Sequence, residues 1–442
     1  MHCLNFKVVS MTKQIPQGYK QTKVGVIPDD WEVEKLSVLI SNFRGGAPLK
    51  PSDFTNDGIK VLPKGGIVPG GVLRISKDNQ QYCSINYYEK YKNSSIDNTY
   101  VIVVLRDLIP SGPSIGLMVK YDSSEEYLLA QGVYGIRYNL TKIYENYIIQ
   151  VSNSDWYRKL MNEIMVGSTQ VHITNTEFLK QILPLPPIKE QEKIAEILIT
   201  WDDAIAKQEQ LIEQKRVFKK GIMQQIFSQK LRFKDDNGND YPAWSNETLA
   251  DVSDVRDGTH ESPQYVEMGY PFITSKNLLE NGNIDFINVN FISETDYNNF
   301  NKRSLVEISD ILFGMIGTIG NPVIVKKTGF GIKNVALVKE LQRLKNQYLI
   351  HYLRSHGAMK QFHQQNTGGT QKFIALGIIR QLTIKLPCIK EQNQIADLLT
   401  NIDDEITKQT EILEQLKLQK QSLMQKLLTG QVRVFNYSKE MA

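Results

Sequence analysis

Residues 186–233 read PPIKEQEKIAEILITWDDAIAKQEQLIEQKRVFKKGIMQQIFSQKLRF. Residues 387–434 read PCIKEQNQIADLLTNIDDEITKQTEILEQLKLQKQSLMQKLLTGQVRV. A shift of 201 positions lays the first stretch on the second without a gap, and 19 of the 48 positions are then identical. Self-similarity at so long a period means two copies of one structural unit.

Each copy opens on a proline, which marks a boundary because it resists continuing a helix or strand. A long run almost free of Gly and Pro follows. In the second copy, Ile395, Leu399, Ile402, Ile406, Leu413, Leu416, Leu423 and Leu427 alternate at spacings of four and three once Gln409 and Lys420 fill the gaps. That is the 3.5-residue period of a coiled-coil seam. The first copy has the same seam at Ile194, Leu198, Trp201, Ile205, Ile212, Ile222 and Ile226, with Gln208, Lys215 and Lys219 between them. Two seams in one chain can bury each other. An antiparallel pairing places what precedes each helix at opposite ends of a rod, and Gln208 with Gln409 offers a matched polar pair to fix register.

The remaining sequence sets bounds. At 442 residues the chain is long enough for two or three domains. Its net charge of +4 permits a nucleic-acid partner without demanding one. Cys3, Cys83 and Cys388 are scattered without metal-ligand spacing, which predicts a reducing, cytoplasmic setting. No apolar run is long enough to span a membrane. The N-terminal stretch MHCLNFKVVS is a poor signal peptide, since Asn5 and Lys7 interrupt its short apolar part, and Met11 is an alternative start.

The repeat unit is larger than the helix. Pro28-Asp29-Asp30-Trp31 and Tyr241-Pro242-Ala243-Trp244 are matching phrases, each followed by a short amphipathic stretch. Between each phrase and its helix, β-branched runs such as Tyr100–Leu105 and Asn334–Val338 alternate with turn residues, which predicts strands. Short helices are expected at 154–165 and 346–366. The fold class read from this pattern is α+β: two domains with a mixed, curved sheet and short helices, separated by two long helices in an antiparallel coiled coil. The expected division is an N-terminal segment 1–30, a first domain 31–185, a first helix segment 186–233 and a linker 234–244. A second domain 245–386, a second helix segment 387–434 and a tail 435–442 follow. Gly167-Ser168-Thr169-Gln170 matches Gly368-Gly369-Thr370-Gln371 at the same shift. Upstream of these the two domains do not align, which reads as two alike frames carrying unlike inserts.

Signatures of catalysis are missing from the sequence. It has no GxxxxGK[ST] phosphate loop, no HExxH and no Gly-x-Ser-x-Gly elbow. It also lacks the Asn-Pro-Pro-aromatic sequence with which amino methyltransferases hold a target nitrogen. His351 and His356 lie five apart, off the i,i+4 face that a helical metal pair prefers. Basic and polar side chains beside glycine turns are more informative. In the first domain these are Arg44, Lys50, Lys64, Arg74 and Lys77. In the second they are Arg256, His260, Ser275, Lys276, Asn277, Lys333 and Asn334, joined by Gln371 and Lys372 of the repeated Gly-Thr-Gln phrase. Glycine lets a loop approach a phosphate, Lys and Arg neutralise it, and Asn, Gln and Arg read base edges.

At these residues the chain resembles the specificity subunits of type I restriction–modification systems. The likeness covers nearly its whole length. It is carried by the paired Pro-x-Ile-Lys-Glu-Gln-x-x-x-Ile-Ala segments with their Asp-Asp continuation. Asp257–Pro263, Gly269–Leu278 and Ile311–Gly320 add to it, and Arg44-Gly45-Gly46-Ala47-Pro48 is a looser match. The resemblance implies two target-recognition domains, each reading half of a bipartite site in double-stranded DNA. It also implies two antiparallel helices that set the spacing, and no catalytic centre in this chain. Two methyltransferase subunits and the restriction subunits would be the partners. The cofactors would be theirs: S-adenosylmethionine for adenine-N6 methylation, ATP and Mg²⁺ for restriction. Glu190, Gln191, Asp202, Asp203 and their repeats Glu391, Gln392, Asp403 and Asp404 are expected to form the docking surface. The rival readings are a stand-alone methyltransferase or endonuclease, and a coiled-coil adaptor that binds only proteins.

Overall fold

Each proline–tryptophan phrase runs into a strand that pairs with the strand just before the long helix. The computed structural model describes residues 15–76, 78–121, 125–317, 319–365 and 373–435. Strand β1 (Glu32–Lys35) receives, antiparallel, the closing strand Ile182–Leu185. The start and end of the first domain therefore lie side by side. In the second domain Ser245–Thr248 and Thr383–Leu386 pair in the same way. Trp31 and Trp244 sit immediately before these pairings and are both buried.

The first domain's central sheet uses β2 (Ile40–Gly45), β3 (Val101–Val104), β4 (Met118–Lys120) and β5 (Val133–Tyr138), all antiparallel in the order β4-β3-β5-β2. The second domain repeats it with β6 (Asp254–Asp257), β7 (Ile311–Gly314), β8 (Gly320–Ile324) and β9 (Val335–Lys339), in the order β8-β7-β9-β6. Val101 to Val104 are all buried, as are Ile311 to Gly314. Such runs are apolar without alternation because both faces of the sheet are covered. A second layer differs in size: a five-stranded sheet in the first domain and a three-stranded one in the second. In both layers one parallel pairing sits beside an antiparallel one: Val61 with Leu128, and Phe272 with Gly331. The frame common to the two domains thus extends well upstream of the Gly-Thr-Gln phrase. It escaped the sequence comparison because the two domains keep burial and topology rather than residue identity.

Helix α1 (Glu145–Ser152) and helix α2 (Asp155–Ile164) follow the first sheet. Their counterparts α3 (Asn346–Leu353) and α4 (His356–Gln365) follow the second. The expected single helix over 346–366 is therefore two. Ser355 breaks it by capping the second: the Ala358 amide donates to its Oγ at 3.3 Å. A serine side chain that satisfies a first-turn N–H favours a helix start over a helix interior.

The long helices run from Ile188 to Phe227 and from Ile389 to Leu428. The chain forms two compact units, one of residues 1–208 with 412–442, the other of residues 209–411. In the first unit the opening of the first long helix packs against the close of the second, with Ile194, Leu198, Met424, Leu427 and Leu428 in one core with Trp31 and Tyr147. In the second unit the roles exchange: Met223, Ile226 and Phe227 join Ile395, Leu399, Trp244 and Tyr348. The two helices are therefore antiparallel.

The seam lysines have a definite purpose. Lys420 Nζ lies 2.5 Å from Asp202 in the first unit, and Lys219 Nζ lies 2.5 Å from Asp403 in the second. Each pair joins the two long helices. Each aspartate also faces the helix that follows the sheet: Gln150 Nε2 donates to Asp202 at 2.8 Å. At the corresponding place in the second unit stand His351 and Arg354, at 3.9 and 3.7 Å from Asp403. His351 is 2 % exposed. Burial, with Lys219 and Arg354 adding to it, lowers its pKa from 6.5 to about 3. An unfolded histidine takes up a proton near pH 6.5, whereas the folded ring resists until about pH 3. The second unit thus has its full stability above pH 6.5 and loses it as the pH falls from there towards 3, by about 2 kcal/mol at pH 5. His351→Gln installs the residue that the first unit carries at 150 and is expected to remove this acid-side loss. Melts at pH 7 and pH 5 check it: the wild type should drop further in Tm than the variant, and equal drops would contradict the assignment.

Candidate nucleic-acid interface

The first long loop of each domain leaves its sheet through a matched turn. Strand β2 ends in Arg44-Gly45 and continues to Gly46-Ala47; strand β6 ends in Arg256-Asp257 and continues to Gly258-Thr259. The Gly46 amide donates to Val133 O at 3.0 Å, and the Gly258 amide donates to Val335 O at 2.9 Å. A Cβ at Gly46 would lie 2.0 Å from Ala130 O, and one at Gly258 would lie 2.3 Å from Ile332 O. Glycine is needed at both points because one backbone crosses another there. The two turns are structurally equivalent, although their sequences agree only at the arginine and this glycine.

Both arginines are engaged by acceptors of the protein itself. Arg44 Nη1 donates to Ser95 O at 2.8 Å, and its guanidinium lies 5.0 Å from the Tyr100 ring centre. Arg256 Nη1 donates to Arg303 O at 3.1 Å, and its Nε donates to Asp254 at 2.9 Å. Each guanidinium ties the sheet to the segment that returns from the variable loops. Lys50 is exposed, and its backbone amide is capped by Asp53 at 2.8 Å. Lys64 and Arg74 are brought together: the Arg74 amide donates to Gly66 O at 2.7 Å, next to the short turn Lys64–Gly66. Burial lowers the Lys64 pKa, Asp107 opposes this, and Arg106 adds to it. Lys77, Gln371 and Lys372 lie outside the described residues.

In the second domain His260, Lys333 and Asn334 converge on one loop cluster. His260 Nδ1 lies 2.6 Å from Asn334 Oδ1, and its Nε2 lies 2.9 Å from Asp257 Oδ2. Lys333 Nζ donates to Ser262 Oγ at 2.6 Å. Lys276 is exposed, but its neighbours Ser275 and Asn277 are buried. Ser275 Oγ donates to Asn334 O at 3.1 Å and accepts from the Met315 amide at 3.1 Å. Asn277 Oδ1 accepts from the Thr274 amide at 2.9 Å, and its Nδ2 donates to Asn288 O at 3.0 Å. These two hold the loop in shape from below.

The expected docking residues divide in a way that corrects the sequence reading. Glu190, Gln191, Glu391 and Gln392 are 0 % exposed, so they contribute nothing to a docking surface in this structure. Glu190 accepts from Trp31 Nε1 at 3.0 Å and from Arg433 Nε at 2.8 Å. Glu391 accepts from Trp244 Nε1 and Arg232 Nε, both at 2.8 Å. Gln191 accepts from the Tyr144 amide and Gln392 from the Lys345 amide, both at 2.8 Å. The repeated Glu-Gln pair is thus an internal clamp on the tryptophan and on the start of the helix after the sheet, while Lys189 and Lys390 are exposed. Asp202 and Asp403 face the seam lysines, while Asp203 and Asp404 are exposed.

The roles of two groups of residues went unnoticed in the sequence. Arg232 and Arg433 occupy the same place in the two 48-residue copies, and that coincidence was the available signal for the clamp. Asp257 and Arg303 carried no such signal. Arg303, at the end of helix Glu294–Ser304, is paired with Asp257. Asp257 itself is 4 % exposed. Among the described residues no group of three or more His, Cys, Asp or Glu is placed to hold a metal, and no helix is long and apolar enough to cross a membrane.

Twin sheet modules with glycine-crossed turns, joined to antiparallel long helices, define a two-domain recognition protein built by duplication. The chain belongs to the type I restriction modification DNA specificity domain family, which matches residues 28–215 and again 244–418. The MjaX specificity subunit of a type I restriction enzyme in Methanocaldococcus jannaschii is 26 % identical to it over 435 residues, covering 95 % of this chain and 97 % of the relative. The MjaVIII specificity subunit from the same organism is 24 % identical, covering 97 % and 99 %. Among solved structures, a type I restriction–modification S subunit from M. genitalium has the same fold, with a TM-score of 0.52 at 14 % identity over 90 % of this chain and 96 % of that one. A chain from a study of complex assembly and conformational transition in a type I R-M system reaches 0.59 at 16 % identity, over 92 % and 99 %. The chain is a type I restriction–modification specificity subunit with two specificity domains.

Proposed function

We propose that each domain reads one half of a bipartite site in double-stranded DNA, and that the long helices fix the distance between the halves. One observation carries this reading: two domains with one frame have different residues where the loops turn. Asp257 stands where the first domain has Gly45, and Asn334 precedes Val335 where Gly132 precedes Val133. Duplicated frames with unlike loops suit recognition of two unlike sequences. The loops of the domains carry Lys64 and Arg74 in one and His260, Lys276, Lys333 and Asn334 in the other. The lysines and the arginine fix a protein on phosphates, and the amide reads base edges.

Two methyltransferase subunits dock on the long helices in this reading, and Asp203 and Asp404 belong to the surface they meet. Restriction subunits complete the complex. S-adenosylmethionine, ATP and Mg²⁺ act in those partners, and this chain supplies the address. Each 40-residue helix spans about 60 Å at 1.5 Å per residue. That is of the order of 17 base pairs at ~3.4 Å each.

The test uses double-stranded genomic fragments with the purified chain, alone and with its methyltransferase subunit. The expected result is retention of a subset of fragments, weakening as salt rises because released counterions oppose binding. Methyl transfer should require the partner. Methylation or cleavage by the chain alone would favour a stand-alone enzyme, and failure of the pair to retain any fragment would favour a protein-only adaptor.

A further inference from the structure

The second domain's loop cluster is more ordered than a set of basic side chains needs to be. Asp257 is nearly buried and holds two exposed groups at once: the His260 ring at 2.9 Å and the Arg303 guanidinium. The far side of the His260 ring reaches the Oδ1 end of the Asn334 amide at 2.6 Å. Both ring nitrogens are therefore committed inside the protein. Asn334 is different. One end of its amide is gripped, and among the described residues nothing accepts from its Nδ2. Its backbone is held as well, since Ser275 Oγ donates to its carbonyl at 3.1 Å and its amide donates to Thr259 O at 3.2 Å. Its φ of 53° lies in the left-handed region, where a non-glycine residue is uncommon. The first domain has Gly132 at the corresponding point, with φ of 90°.

We propose that Asn334 is a specificity-determining residue of the second domain, the free end of its side-chain amide presented to a base edge, and that His260 is a positioning residue that acts through it by bridging Asp257 to Asn334. This rests on the DNA-reading function proposed above. A side chain kept at a left-handed position, when glycine serves there in the twin domain, is present for what its amide does. An amide free to rotate presents donor or acceptor indifferently. Held at one end by the His260 ring, it presents its other end in a fixed direction to a base edge in the major groove, where the donor and acceptor pattern tells the base pairs apart. Lys276, which is exposed, and Lys333, whose Nζ donates to Ser262 Oγ, act on phosphate in this reading.

The experiment selects bound DNA from a randomised double-stranded library with the full chain co-purified with its methyltransferase subunit. Four forms are compared: wild type, Asn334→Gly, Asn334→Asp and His260→Ala. Glycine suits this φ and matches the twin domain, so Asn334→Gly removes the amide without backbone strain. The expected result is loss of preference by about tenfold at one base pair, in one of the two sequence blocks, in both Asn334→Gly and His260→Ala. Asn334→Asp turns the neutral amide into an acceptor-only carboxylate and should alter the preferred base at that pair. The double variant His260→Ala/Asn334→Gly should be no worse at that base pair than Asn334→Gly alone, because the histidine acts only through the amide. Additive losses, changes in both blocks, or a block unchanged by Asn334→Gly would overturn the assignment. A wild-type complex that enriches no two-block motif would instead sink the DNA-reading function, and this inference with it.

Discussion

Glu391→Ala is expected to destabilise the second unit by about 3–5 kcal/mol, because it strands the guanidinium and indole that the carboxylate holds. Glu391 is 0 % exposed and accepts three hydrogen bonds at 2.8 Å, one from Trp244 Nε1 and two from Arg232. Arg232 also donates from Nη2 to Pro242 O at 2.8 Å, so the clamp fastens the linker to the start of the second long helix. Removing the carboxylate leaves a half-buried arginine and a buried indole N–H without their acceptor. Denaturant melts of the wild type and the variant measure the loss. The double variant Glu391→Leu/Arg232→Leu, which removes the charge together with its partner, should recover part of it. A single variant within about 1 kcal/mol of the wild type would contradict the clamp. Glu190→Ala should act alike in the first unit, where Trp31, Arg433 and Asp30 take the corresponding places.

Gly258→Ala is expected to cost the second domain at least about 3 kcal/mol, at or beyond the upper end for overpacking. The added Cβ would lie 2.3 Å from Ile332 O, 2.6 Å from the Ile332 carbonyl carbon and 2.9 Å from its Cγ1. The first two are backbone atoms, which no rotamer change can move aside. Ile332 is also tied to Ile273 in the second-layer sheet, so it cannot retreat cheaply. Gly377→Ala is the contrasting case: its Cβ meets nothing within 4 Å and lies in a short helix, where alanine is favoured over glycine. A melting comparison should show the first variant strongly destabilised and the second neutral or slightly stabilised. Equal behaviour would mean that the turn at Gly258 is not the fixed crossing described here.

The long helices were legible because their period is local: apolar residues at spacings of four and three need no knowledge of distant contacts. The duplication was legible because 19 identities fall in one uninterrupted stretch. Strands of the central sheets were legible at Tyr100–Leu105 and Asn334–Val338, but the duplication of the sheets was not, since Val101–Val104 and Ile311–Gly314 share burial and topology rather than residues. The Glu-Gln pair was noticed but placed on the wrong side of the helix. A charged residue reads as surface until its distant partners are known, and Arg433 is 243 residues from Glu190. The same blindness to long-range pairing hid the role of Asp257, whose partner Arg303 lies 46 residues away. The basic loop residues could be collected from sequence but not sorted. Only the fold separates Arg44 and Arg256, which tie the sheet to a returning segment, from Lys50 and Lys276, which are exposed.

The start and finish of the first domain meet at the pairing of Glu32–Lys35 with Ile182–Leu185, so the segment between them is a replaceable module. The decisive measurement exchanges residues 32–185 for the corresponding segment of another specificity subunit, and maps methylated motifs in cells that carry the partner methyltransferase. If each domain reads its own half-site, one block of the motif changes while the other block persists. A motif altered in both blocks, or in neither, would contradict the two-reader account.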